Sequence, residues 1–189
     1  MSDNLSLLEA IHALKHLPRK GWVEHGLDAG KVESVGSHAF GTAALAVILK
    51  ETGYLPKNVP LERVLVLALF HDIVESLTGD ITPASKVTPE KKASLELDAA
   101  RKLLGGIPGM AAVQHDLEAF IATPGKGSTD PVHSIVKQLD KLDMMIQSLF
   151  YEQSTGKPLS DFNNDPGKYL VDKKLLAFFD SILKRICLE

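Results

Sequence analysis

LERVLVLALFHDIVESLTGD, residues 61–80, decides how the chain is read. Its centre, VLVLALF, has the composition of a buried strand, but the whole stretch is too long for one and its flanks are helix formers. It follows Pro60 and stops at Gly79, so the pattern predicts one helix between them. That apolar helix delivers His71 and Asp72 near its end and carries Glu75. Burying such groups is costly unless something pairs with them. On a regular helix His71 and Glu75 share a face, with Asp72 about 100° round from His71. A divalent cation would answer the cost, because imidazole nitrogen and carboxylate oxygen both ligate first-row metals. The dipeptide alone also allows a structural reading, with His71 hydrogen-bonded and Asp72 paired.

Outward from this stretch the pattern stays helical. LSLLEAIHALKHL stops at Pro18, and SHAFGTAALAVILKETG runs from a cap at Ser37 to Gly53. TPEKKASLELDAARKLLGG opens on Thr88 with Pro89 at the first helical position. GMAAVQHDLEAFIAT, VHSIVKQLDKLDMMIQSLFYEQ and KYLVDKKLLAFFDSILKRI complete the set. RKGWVEHGLDAGKVES, ITPASKVTP, TPGKGSTDP and STGKPLSDFNNDPG read as loops, and no segment alternates as a strand would. The expectation is an all-α fold of about seven helices in a single domain over 1–189. The C-terminal helix, 168–187, either packs on that domain or forms an interface.

Composition narrows the function classes. With 44% hydrophobic and 24% charged residues the chain matches an ordinary globular protein. A formal charge of −3 and scattered Lys and Arg give no electrostatic case for nucleic acid or an anionic membrane. They also argue against a polyphosphate substrate, which would call for a Lys/Arg-rich channel. Cys187 stands alone, which excludes an intramolecular disulfide and fits a reducing compartment. The N-terminal segment lacks the order of a signal peptide, and VLVLALF is too short to span a bilayer. A cytoplasmic location is expected.

Three further pieces give the His-Asp pair its meaning. His38 begins its own apolar helix, and Asp140 lies among the core-type residues Leu139, Leu142, Met144 and Met145. Arg19 and Trp22, in PRKGW, precede both. On an all-α chain, His38…His71-Asp72…Asp140 resembles the pattern of the HD-domain phosphohydrolases. More narrowly, PRKGW, ESVGSHAF, HDIVESLTGDITP and VKQLDKLDMMIQSLFYE are similar to segments of the HD-domain 5′-deoxynucleotidases, in order and spacing over about 17–152. Those enzymes hydrolyse deoxyribonucleoside 5′-monophosphates.

The resemblance implies that His38, His71, Asp72 and Asp140 hold one divalent ion (Co, Mn, Mg, Fe, Ni or Zn). It implies a catalytic Glu75 acting on the attacking water or the leaving oxygen. It also gives Arg19 and Trp22 to phosphate and substrate binding, and Asp80 to the sugar. Arg19 has the planar fork that suits a phosphate, while Asp80 reads equally as a turn residue. Lys86 is a further candidate for the phosphate, against an ordinary exposed lysine. Glu33 and Asp143 are candidates to orient ligands from behind. His115 and His133 fall where dinuclear relatives place extra ligands, but match no motif of the nucleotidases. His12, His16 and His25 read as surface residues. The family's habit implies a homodimer, with a small nucleotide as the other partner. Two alternatives stay open: an HD-type phosphodiesterase or nucleoside-triphosphate hydrolase, and a non-catalytic helical module that binds metal or nucleotide.

Overall fold

Capping chemistry sets where the helices begin. In the computed structural model, which describes residues 4–123 and 128–186, α1 spans Asn4–Leu14, α2 Lys20–Glu24 and α3 Val35–Glu51. The cap of α3 is Ser34, whose Oγ accepts from the Ser37 N–H at 3.1 Å. Ser37, the expected cap, is the donor instead, so the helix starts three residues earlier than predicted. Downstream lie α4 (Leu61–Phe70), α5 (Glu75–Thr78), α6 (Pro89–Leu104) and α7 (Ala111–Ala122). α8 (Pro131–Thr155), α9 (Ser160–Asn163) and α10 (Lys173–Ile186) follow. Thr88 caps α6 ahead of Pro89 as the sequence predicts. α8 uses the same device, with Asp130 accepting from the Val132 N–H at 2.8 Å ahead of Pro131. Among the described residues, seven helices have seven or more residues. No strand occurs among the described residues, only a single bridge between Pro18 and Ser34, so the all-α expectation holds.

The stretch at 61–80 departs from the expected single helix. α4 stops at Phe70, and Ile73, Glu75, Ser76 and Leu77 each donate to the carbonyl three residues back rather than four. In such a tightened turn residues three apart eclipse. Glu75 is therefore aligned with Asp72 rather than with His71. Gly79 ends α5 at φ 71°, a conformation that costs glycine nothing. Two smaller departures have similar causes. The predicted loop after Pro18 contains α2. α10 begins at Lys173 rather than 168, because Gln138 Oε1 accepts from the Val171 and Asp172 N–H groups at 2.9 and 2.8 Å. Asp172 then receives the Lys174 N–H at 2.8 Å and starts the helix. Cys187 and residues 124–127 of the predicted TPGKGSTDP loop lie outside the described residues.

α3, α4 and α8 pack against one another at the centre. α3 buries Val35, His38, Ala39, Thr42, Ala43, Ala46 and Leu49, a stripe at helical spacing made mostly of small residues, which lets its neighbours approach closely. Leu67 and Ala68 of α4 and Val136, Leu139, Leu142 and Met145 of α8 fill the facing space. α10 lies on α8 with Leu175 and Phe179 fully buried, so its apolar stripe faces the core. No helix among the described residues is long and apolar enough to cross a membrane.

Candidate metal centre and its cleft

Because α3, α4 and α8 meet at the centre, each delivers polar residues to one point. His38 comes from the first turn of α3, His71 and Asp72 follow the last residue of α4, and Asp140 comes from the middle of α8. His38 Nε2 lies 3.2 Å from Asp140 Oδ1 and 3.8 Å from Asp72 Oδ2, and His71 Nε2 lies 3.2 Å from Asp72 Oδ2. Donors about 2.1 Å from a common ion stand about 3.0–3.4 Å apart at octahedral to tetrahedral angles. The other ring nitrogens fix the tautomers. His71 Nδ1–H donates to the Ala68 carbonyl at 2.7 Å, and His38 Nδ1–H donates to Asp143 Oδ2 at 2.8 Å. Both Nε2 atoms therefore face the cluster, buried and without a hydrogen-bond partner. Nitrogens left this way in a carboxylate-lined centre fit a divalent cation. The quartet named from the sequence is the quartet the fold brings together.

Electrostatics sort the neighbouring acids. Burial alone would raise Asp72, but His71, Arg19 and His38 outweigh it and hold the carboxyl well below the usual range. Asp140 is likewise held down, by Lys141 and His38 against burial. Glu75 goes the other way. Burial pushes it well above the usual carboxylate range, with Asp72 and Asp80 adding to the push. It is 4% exposed and its Oε2 makes no hydrogen bond. Arg19 Nη1 donates to Asp72 Oδ2 at 3.1 Å. Burial disfavours its charge, but Asp72, Asp140, Glu75 and Asp80 together raise its pKa further.

The remaining candidates divide. Trp22 is 1% exposed and its ring packs on Phe162 and Tyr151, with centroids 4.3 and 5.3 Å away. Its Nε1–H donates to Glu33 Oε1 at 2.9 Å, so Glu33 holds Trp22 and Asp143 is the carboxylate behind His38. Asp80 accepts the Lys20 N–H at 2.7 Å, fastening the turn after α5 to the start of α2. Lys86 is exposed at φ 54° and does not line the cleft. His133 is buried against Asp116 at 2.6 Å, with Arg63 bridging Asp116 and Asp130, and the Phe120 ring stands between it and His71. His12, His16, His25 and His115 are exposed.

A cleft of about 670 Å³ opens beside the cluster, lined among others by His71, Asp72 and Asp140. Lys92, Lys137, Lys141 and Lys168 line it too, alongside Glu96, so the fold gathers into one cleft lysines that lie scattered in the sequence. Lys137, Asp140 and Lys141 share a helical face, which is the one signal in the sequence that pointed to it.

Gly41 explains how Asp143 reaches His38. A Cβ at this position would collide with the Asp143 carboxylate, a flexible end that would have to swing away. Gly41→Ala is expected to strengthen α3 locally, by up to about 1 kcal/mol. It should nevertheless weaken metal affinity about 10–100-fold, the usual loss when a ligand's supporting carboxylate is withdrawn. Competition with a chelating dye measures this directly, and unchanged affinity would show that Asp143 is not needed to hold His38.

Comparison with known proteins places the chain in a family. The family profile described as HD domain matches residues 11–170. The 5′-deoxynucleotidase HDDC2 of Bos taurus is 33% identical, covering 87% of this chain and 77% of its own length. The 5′-deoxynucleotidase YGK1 of Saccharomyces cerevisiae is 31% identical, covering 94% of this chain and 86% of its own. Among solved structures, a conserved hypothetical protein from Pyrococcus furiosus superposes with a TM-score of 0.76 at 27% identity, covering 96% of this chain and 99% of that one. With a helical core that converges two histidines and two aspartates on one point, and a profile match over most of its length, the chain belongs to the HD domain family.

Proposed function

We propose that the protein is a metal-dependent phosphohydrolase that removes the 5′-phosphate from deoxyribonucleoside 5′-monophosphates. The observation that carries this reading is the pair of buried, unbonded Nε2 atoms facing Asp72 and Asp140, with Glu75 and Arg19 beside them. The names of the relatives supply the substrate class.

His38, His71, Asp72 and Asp140 would hold a divalent ion. When bound, the ion would polarise the phosphoryl group and lower the pKa of a coordinated water. Arg19 offers two parallel N–H donors to phosphate oxygens, exchanging its contact with Asp72 for the substrate. Glu75, whose buried surroundings favour the protonated form, is equipped to give a proton to the departing 5′ oxygen, and its carboxylate to take one from the incoming water. Asp80, near Arg19 and Glu75, is proposed to face the sugar while its Oδ2 holds α2. Trp22 supports the site from the core, seating Glu33 and the chain that carries Arg19.

A nucleoside-triphosphate hydrolase is the second reading, and the four lysines in the cleft favour it. Phosphate release from ribo- and deoxyribonucleoside mono-, di- and triphosphates, with Co, Mn or Mg added, separates the two. The expected pattern is deoxy-monophosphates first, about 10–100-fold above their ribo counterparts. No release from any deoxy-monophosphate with any of these ions would remove the proposal.

A further inference from the structure

Three of the four cleft lysines have a partner. Lys92 Nζ donates to the Ile81 carbonyl at 3.0 Å and lies 3.5 Å from Glu96. Lys141 pairs with Asp140 at 3.1 Å, and Lys168 sits over the Tyr169 ring. Lys137 differs. Its Nζ is buried and makes no hydrogen bond, and it rests over the face of Phe120, 5.0 Å from the centroid. An ammonium carries three donors. Leaving them unmet under cover is costly, and an aromatic face offsets only part of the loss. Burial accordingly pushes the Lys137 ammonium below its ordinary range.

The position of Lys137 suggests what satisfies it. It stands one helical turn before Asp140 on the same face of α8, and both line the cleft. Phe120, on which it rests, also meets the His71 ring edge-on, with centroids 6.3 Å apart. A mobile four-carbon stem over an aromatic seat, beside a metal cluster, is an anion receptor in its resting position. Arg19 serves the cluster from the segment ahead of α2 and does not line this cleft.

We propose that Lys137 binds the substrate's phosphate from the cleft side, as the counterpart of Arg19, by turning off Phe120 onto the phosphate oxygens. Its ligand class is a phosphate dianion, whether of a nucleotide monoester or of the inorganic product. The organic part of the substrate rests on the function proposed above, but the anion contact does not.

The test is calorimetric titration of inorganic phosphate, and separately of a deoxynucleoside monophosphate, into metal-loaded protein. Glu75→Gln is the common background, so that nothing turns over. Lys137→Met in that background should weaken both ligands about 10–100-fold, the loss of one charge-assisted hydrogen bond. Lys137→Arg should restore most of the affinity, while metal content stays unchanged and Tm stays level or rises. Lys137→Gln provides a second neutral variant. Parent-like phosphate affinity in either neutral variant that folds and holds metal overturns the proposal. The activity panel reports separately. Weakened phosphate binding with no nucleotidase activity would keep the receptor and discard the reaction, and the opposite result would do the reverse.

Discussion

Glu75→Gln is expected to lower kcat about 10²–10⁴-fold, the usual worth of a positioned general acid or base, with bound metal unchanged. The amide keeps the shape of the side chain but neither gives nor takes a proton at the required strength. The same substitution should make the protein more stable. Glu75 is buried, its Oε2 is unbonded, and its folded pKa is raised by burial, Asp72 and Asp80. A carboxyl raised in this way holds its proton more tightly when folded. Stability is therefore lost as pH climbs from the ordinary glutamate value of about 4.3 toward the raised one, and stays lower above it. Glutamine carries no such penalty. In a chelator-containing buffer Tm should match the parent at low pH and exceed it at neutral pH, by about 2–4 °C for each kcal/mol relieved. Retained turnover would show that Glu75 is not the proton carrier, and equal Tm at neutral pH that its burial carries no strain.

Asp140→Asn is expected to abolish stable metal binding and take phosphatase activity to background. Asp140 Oδ1 lies 3.2 Å from His38 Nε2 on the helix that also supplies Asp143, so removing its charge opens one side of the cluster. The loss should exceed the 10–100-fold expected for a supporting residue, because here the ligand itself is gone. A second readout does not depend on turnover. An ion that binds only the folded chain stabilises it by about 2.7 kcal/mol at a hundred times Kd, worth about 5–10 °C in Tm for a chain of this size. Chelation should remove that increment from the parent and leave Asp140→Asn where it was. A variant whose Tm still responds to metal as the parent's does would exclude Asp140 from the set.

Sequence by itself determined the helical architecture and named the four His and Asp residues that the fold brings together. Helix boundaries such as Thr88-Pro89 depend on side chains acting within a few residues of themselves, and such signals survive in a linear string. His38, His71, Asp72 and Asp140 were legible because few residue types ligate divalent ions, and their order carried the family pattern. Tertiary structure decided the rest. The turn that aligns Glu75 with Asp72 breaks a stretch whose composition favours an unbroken helix. Asp143, 105 positions from His38, becomes its partner only because Gly41 lets α8 close on α3. Trp22 goes to the core, Lys86 to the surface, and four lysines spread over two helices and a turn come to one cleft. These outcomes depend on the distances between packed helices, and no interaction confined to a few neighbouring residues can encode them.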